Sequence, residues 1–202
     1  MHIEHCISNS SIISVVIPCR KGENAETTLN SLTEQTFQNF DIIIVIDTEG
    51  KGASWARNYG FKEVKTPYVL FSDNDIQWQK HALEHMLATL EDFPQAAYTY
   101  GWYEKGDRVF VGRVPFRAHS LAKENFVSTM SLLRTKDFPG FDESLKRLQD
   151  WDLWLTLLRQ KKIGVYCDSK LFYTKDRMNG ITRTESLIEA TKYIKQKHNL
   201  VD

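Results

Sequence analysis

The residues able to do chemistry gather just after stretches that read as buried strands. Pro18-Cys19-Arg20-Lys21 follow one such stretch, Asp47-Thr48-Glu49 end a second, and Ser72-Asp73-Asn74-Asp75 end a third. The carboxylates and amide of Asp73-Asn74-Asp75 are hard oxygen ligands of the kind that hold Mg²⁺ or Mn²⁺ against substrate phosphates. The same residue types also build ordinary turns by accepting backbone N–H bonds. A second cluster is Gly52-Ala53-Ser54-Trp55-Ala56-Arg57-Asn58-Tyr59-Gly60. A glycine-opened helix offers free N–H groups to an anion, and Arg57 adds a forked cation suited to phosphate. A surface helix with a solvated arginine has the same pattern. The third cluster is Gln149-Asp150-Trp151-Asp152-Leu153-Trp154-Leu155. One of its acids could serve as a general base, although acids at a helix start are favoured by the helix dipole in any case. Trp151 and Trp154 either stack on a sugar or fill the core. Cys19 lies near the first cluster but has no histidine near it in sequence, so no catalytic thiolate is expected. His2, His5, His81, His85, His119 and His198 show no metal or triad spacing and read as surface or helix-face residues.

These clusters need elements to position them. Ser11–Pro18, a β-branched apolar run, and the apolar stretches Asp41–Asp47 and Pro67–Ser72 predict buried strands. Between and after them, Glu23–Thr36, Gly52–Lys62 and Gln77–Phe93 carry helical spacing, the last with Leu83, Met86, Leu87 and Leu90 on one face. This alternation predicts a mostly parallel sheet with helices on both faces. In such sheets ligands bind at the carboxyl ends of the strands, so the three polar ends should converge on one rim. Further on, Ala97–Tyr103 and Arg108–Val114 predict a hairpin, Asp150–Arg159 a short helix, Ile163–Cys167 and Leu171–Tyr173 two short strands, and Thr184–His198 a closing helix. The expected fold is a single α/β domain, with a nucleotide-binding parallel half over about residues 11–95 and a mixed-sheet half over about 96–202. Tyr98, Tyr100, Trp102 and Tyr103 could line an acceptor cleft in that second half, or bury one face of a strand.

The 202 residues suit one domain, and 42% apolar with 26% charged content is that of a soluble globular chain. Lys+Arg equals Asp+Glu at 26 each, so there is no basic surplus and a nucleic-acid partner is not expected. Neither largely apolar run, Ile12–Ile17 or Ile42–Ile46, approaches the roughly 18–20 residues of a transmembrane segment. No signal peptide is visible at the N-terminus. Three widely spaced cysteines suit a reduced compartment and lack zinc-ligand spacing.

Taken in order, several of these segments resemble the family 2 glycosyltransferases of the GT-A fold. Ser14-Val15-Val16-Ile17-Pro18 resembles that family's opening strand, and Leu29–Phe40 its "SL-x-x-Q-T" helix and turn. Asp41–Asp47 is similar to its second strand, and Gly52…Ala56-Arg57-Asn58…Gly60 to its "G-x-x-x-ARN-x-G" segment. Phe71–Asp75 resembles its metal-binding D-x-D. Gly140-Phe141-Asp142-Glu143 with Gln149–Leu155 resembles its "GFDE … ED-x-DLWLRL" block. The likeness spans about residues 12–160. It implies inverting transfer of a sugar from a nucleoside-diphosphate sugar, a UDP-sugar first among them, to a hydroxyl of a glycan or lipid-linked acceptor. It further implies donor contacts from Pro18, Cys19, Arg20, Asp47, Arg57, Asp73 and Asn74, a divalent metal at Asp75 and Asp73, and Asp150 as general base. Such a reaction suits a metal that neutralises the departing diphosphate and one carboxylate that deprotonates the acceptor.

The sequence departs from the family pattern in three places. Gln149 replaces the usual Glu, which lowers the local negative charge, and both Gln149 and Trp151 are candidates for the acceptor side. Pro18-Cys19-Arg20-Lys21 is more basic than the usual "P-x-Y-N". The stretch Tyr173–Arg183 lacks the histidine of some relatives, and its Lys175, Arg177 and Arg183 suggest a basic loop over the diphosphate. The chain ends soon after this region, without the membrane helices of many relatives. A cytoplasmic enzyme is therefore expected, one that could act peripherally at the inner membrane face. Two other readings remain open at this stage: a nucleotidyltransferase, which would not need Asp150, and a catalytically silent binding module.

Overall fold

The computed structural model describes residues 2–6, 11–106, 109–175 and 186–200. Three parallel strands form its front: β2 (Ile13–Arg20) pairs with β3 (Phe40–Asp47) on one side and β4 (Tyr68–Phe71) on the other. β1 (His2–Cys6), which carries no strand signal in the sequence reading, adds antiparallel to β3. The back half comprises β5 (Gln77–Trp78), β6 (Ala96–Lys105), β7 (Val109–Val111), β8 (Leu132–Arg134) and β9 (Ile163–Thr174). The described strands make one mixed sheet in the order β1-β3-β2-β4-β8-β6-β9-β5, with β7 pairing β6 as the hairpin predicted.

Helices cover both faces of this sheet. They are α1 (Glu26–Thr33), α2 (Ala53–Phe61), α3 (Ala82–Asp92), α4 (Ala118–Lys123), α5 (Gln149–Arg159) and α6 (Leu187–Lys197). β2 shows why its sequence is apolar throughout. Val16 belongs to a core with α2 and α5, whereas Ile13, Val15 and Ile17 belong to a second core with α1 and α3. Successive strand residues face opposite ways, so a strand buried on both faces needs an unbroken apolar run.

Two sequence-based expectations are corrected. Gln77 and Trp78 are not helical: they form β5 against Tyr173 and Phe172 of β9, and α3 starts only at Ala82. Ile163–Tyr173 is one strand, not two. The polar Asp168-Ser169-Lys170 falls at an irregularity in the pairing with β6, where the register passes from Tyr100–Tyr166 to Trp102–Lys170 and then to Tyr103–Phe172, and the strand runs on through it. For the aromatic stretch, the reading that buries one strand face holds at Tyr98 and Tyr100. Both are buried, Tyr98 stacks on Trp154 at 4.4 Å, and the Tyr100 hydroxyl donates to Val114 O at 2.8 Å.

Candidate active site

The front strand ends converge as their apolar runs require. β2 and β3 run in register to the pair Arg20–Asp47, and the Ser72 N–H donates to Val16 O at 3.0 Å, drawing the chain after β4 alongside β2. An open cleft of about 270 Å³ lies at this rim, lined by Pro18, Cys19, Arg20, Asp47, Arg57, Asp73, Asn74, Gln149 and Asp150, among others. Every residue expected to contact the donor therefore lies in one cleft with the expected base.

α2 reaches the cleft because two glycines permit it. Gly52 precedes the helix with φ 98°, a conformation that side chains disfavour, and its N–H donates to Asp47 Oδ2 at 2.8 Å. The Glu49 N–H donates to Asp47 Oδ1 at 3.1 Å. Burial pushes the Asp47 carboxyl up, but these and neighbouring backbone N–H groups outweigh it and hold the pKa below its usual value. At Gly60, a Cβ would lie 2.6 Å from Val16 Cγ1 and 2.8 Å from Val45 Cγ2, so only glycine lets the helix sit this close to the sheet. One turn earlier, Arg57 is 5% exposed and its Nη2 meets Asp73 Oδ1 at 2.6 Å. Its Nη1 approaches Gln149 Oε1 at 3.5 Å, and Phe141 lies against the guanidinium at 5.4 Å. Its Nε is buried with no hydrogen-bond partner among the described residues. Arg57 thus joins the two halves of the site.

Asn58 has a role that the sequence reading did not assign. Its Oδ1 accepts from Phe141 N at 2.8 Å, and its Nδ2 donates to Phe141 O at 2.9 Å and Glu143 Oε1 at 2.8 Å. It fixes the Gly140–Glu143 loop to α2. The Asp73-Asn74-Asp75 turn is held from α1: Thr28 Oγ1 donates to Asp73 O at 2.8 Å and accepts from Ile76 N at 2.9 Å. Asn74 Nδ2 donates to Glu23 Oε2 and Asn24 O. Asp75 is half-buried and is not part of the cleft lining.

Asp150 sits in the first turn of α5. The helix is entered through Leu148 at φ 58°, ψ 30°, a left-handed conformation that costs a non-glycine residue on the order of 1–3 kcal/mol. Burial pushes the Asp150 carboxyl up. The Asn125 side chain, the Trp151 N–H and the Arg57 charge pull it back only in part, so its pKa stays above the usual carboxylate value. Asn125, Thr129, Glu23, Lys146 and Arg147 are site neighbours that the sequence reading missed. The Lys146-Arg147 pair, one residue before Gln149-Asp150, was the available signal.

Other expectations resolve differently. Trp151 does not face an acceptor: it is 2% exposed and its ring N–H donates to Leu121 O at 2.7 Å, while Trp154 donates to Val127 O. The core reading therefore holds for both. Burial, with Glu23 and Glu4 adding to it, pushes the Cys19 thiol up to about 11, in keeping with a non-nucleophilic cysteine. His198 is not a surface residue: it is buried with its Nε2 2.7 Å from Asp152 Oδ1. Lys175 is exposed at the end of β9, and Arg177 and Arg183 lie outside the described residues.

A family described as "Glycosyl transferase family 2" matches residues 45–144, from the end of β3 through the Gly140–Glu143 loop. An uncharacterized glycosyltransferase of Rickettsia typhi is 26% identical over 89% of this chain and 68% of its own length. The chain belongs to the family 2 glycosyltransferases. Another relative of this glycosyltransferase, from Haemophilus influenzae, is 25% identical over 93% of the chain and 77% of its own length. The amylovoran biosynthesis glycosyltransferase AmsB of Erwinia amylovora is 28% identical over 75% of the chain and 64% of its own. Among solved structures, S. aureus TarS 1–349 in complex with UDP-GlcNAc superposes with a TM-score of 0.71 at 18% identity, which speaks to the fold. The likeness covers 92% of this glycosyltransferase and 66% of that chain. Among the described residues no helix is long and apolar enough to cross a membrane.

Proposed function

We propose that the cleft binds a nucleoside-diphosphate sugar and that the enzyme transfers its sugar, with inversion, to an acceptor hydroxyl. The observation that carries this reading is the meeting of Asp47, the Arg57–Asp73 pair and Asp150 in one cleft. A UDP-sugar is the first donor to consider, because TarS is described in complexes with both UDP-GlcNAc and UDP. The relation to AmsB favours a saccharide acceptor, free or lipid-linked.

Asp47, fixed in its ionised form by backbone N–H groups, suits the hydroxyls of a ribose, as an acceptor-only group does. Arg57 is held rigidly by Asp73 and Phe141, so it can place a guanidinium near the diphosphate without losing side-chain freedom on binding. Asp150 lines the same cleft. Its raised pKa makes it a stronger base than an ordinary carboxylate, and it would take the proton of the attacking hydroxyl. A single displacement needs no enzyme nucleophile, in agreement with the inert Cys19.

The donor set also suits a divalent ion. Among the described residues no group of three or more His, Cys, Asp and Glu side chains could hold one alone, but Mg²⁺ or Mn²⁺ needs only one or two carboxylates beside substrate phosphates. Asp73, which lines the cleft, and Asp75, in the same turn but outside the lining, would hold the metal. When bound, it would neutralise charge building on the departing diphosphate.

The test is release of UDP from UDP-GlcNAc and other UDP-sugars by wild type and Asp150→Asn. Loss of the base should lower turnover about 10²- to 10⁴-fold while UDP affinity stays within about threefold. Full turnover by Asp150→Asn would overturn the assignment of the base.

A further inference from the structure

The segment 142–152 carries Asp150, and a single side chain from α6 ties both its ends. Lys197 Nζ lies 2.6 Å from Asp142 Oδ2 and 2.8 Å from Asp152 Oδ1. Asp152 is 3% exposed and accepts in addition from the buried His198 at 2.7 Å. Desolvation lowers the Lys197 pKa, but its hydrogen bonds to Asp142 and Asp152 outweigh this and leave it raised, so the ammonium stays charged. Between the tied ends the chain is irregular up to α5. Asp142 Oδ1 accepts from Ser144 N at 2.9 Å, Gln149 Nε2 donates to Leu145 O at 2.7 Å, and Asp152 N donates to Leu148 O at 3.0 Å. Leu148 holds its unfavourable left-handed conformation within this stretch, directly before Gln149 and Asp150. A strained residue of this kind persists only where its surroundings over-determine it.

We infer that Lys197 is a positioning residue: by bridging Asp142 and Asp152 it holds the 142–152 segment so that Asp150 faces the cleft. This rests on the reading of Asp150 as the general base. Lys197 does not line the cleft and its bridges end on Asp142 and Asp152, so its effect passes to Asp150 through the segment's backbone. The two carboxylates it joins would repel one another without it, and releasing either end removes the constraint that opposes relaxation of Leu148.

The test compares wild type with Lys197→Met, which keeps the aliphatic stem, and Lys197→Arg, which keeps the charge. Hydrogen exchange should quicken at least tenfold at the amides of Ser144, Leu145, Trp151 and Asp152 in Lys197→Met. Protection of β2, β3 and β4 should not change, and Lys197→Arg should restore the local protection. Asp142→Asn, which releases only the loop end, should reproduce the change at Ser144 and Leu145 and keeps the test decisive if Lys197→Met fails to fold. In UDP release from UDP-GlcNAc, kcat should fall at least tenfold in Lys197→Met, with KM within twofold. Unchanged exchange in 142–152, or a loss of protection spread evenly over the sheet, would overturn the inference. Unimpaired turnover in Asp150→Asn would remove the base reading alone, because the exchange pattern is read without substrate.

Discussion

Replacing Gly60 by alanine tests whether close packing of α2 on the sheet sets the geometry of the site. The new Cβ would lie 2.6 Å from Val16 Cγ1 and 2.8 Å from Val45 Cγ2, whereas ordinary contact begins near 3.4 Å. Val16 and Val45 are completely buried and β-branched, so neither can turn aside. The helix must therefore back away by about 0.8 Å. Overpacking of this kind costs up to about 3 kcal/mol. Alanine returns roughly 1 kcal/mol in helix propensity, which leaves a net loss of about 2 kcal/mol. For a chain of this size the melting temperature should fall by roughly 4–8 °C. The same displacement would stretch the 2.6 Å contact of Arg57 with Asp73 and the bonds of Asn58 to Phe141. UDP affinity measured by calorimetry should then drop about tenfold, or roughly 1.4 kcal/mol. A melting temperature equal to or above that of wild type would refute the reasoning, since alanine for glycine in an unobstructed helix raises stability.

Arg57→Lys keeps the charge but loses the fork that reaches Asp73 and Gln149 together, so UDP should bind about tenfold more weakly in a calorimetric titration. Asp142 should show itself in acid: burial raises its pKa, but bonds from Lys197 and Ser144 outweigh this and lower it from 3.8 to about 2. A lowered folded-state pKa contributes stability above the unfolded value that is lost as pH falls. About 2 kcal/mol should therefore disappear between pH 4 and pH 2 in urea unfolding, and Lys197→Met should flatten that limb. The raised pKa of Asp150 should place the acidic limb of kcat above the usual carboxylate range of about 3.9, and a limb at or below that range would count against it as the base. Cys19 and Cys167, both buried with raised pKa values, should resist iodoacetamide at pH 8 until the chain unfolds, as read by mass spectrometry.

The front of the molecule was legible because its signals are local. Unbroken β-branched runs mark strands buried on both faces, and the polar residues at their ends then have to share a rim. Pro18, Asp47 and Asp73 met in one cleft for that reason, and Arg57 of α2 and Asp150 of α5 join them there. The parts that escaped are built from distant pairings. β8 is three residues long and is defined by its neighbours β4 and β6, and β5 exists only against β9. Trp151 and Trp154 offered two readings at identical spacing. Backbone carbonyls at Leu121 and Val127, waiting to accept their ring N–H groups, decided for the core. His198 and Lys197 lie some 45 residues from Asp152, too far for spacing in the sequence to suggest the contact. The left-handed Leu148 had no signal at all, since glycine or asparagine normally announces that conformation.

The most direct test of the nucleotide-sugar cleft is a calorimetric titration of UDP and UDP-GlcNAc into the wild-type protein, with Mn²⁺ and with EDTA, repeated for Asp75→Asn. One site per chain is expected, at least tenfold weaker in EDTA and in Asp75→Asn than in wild type with Mn²⁺. Absence of binding by UDP, UDP-GlcNAc and every other nucleoside diphosphate under both conditions would contradict the account.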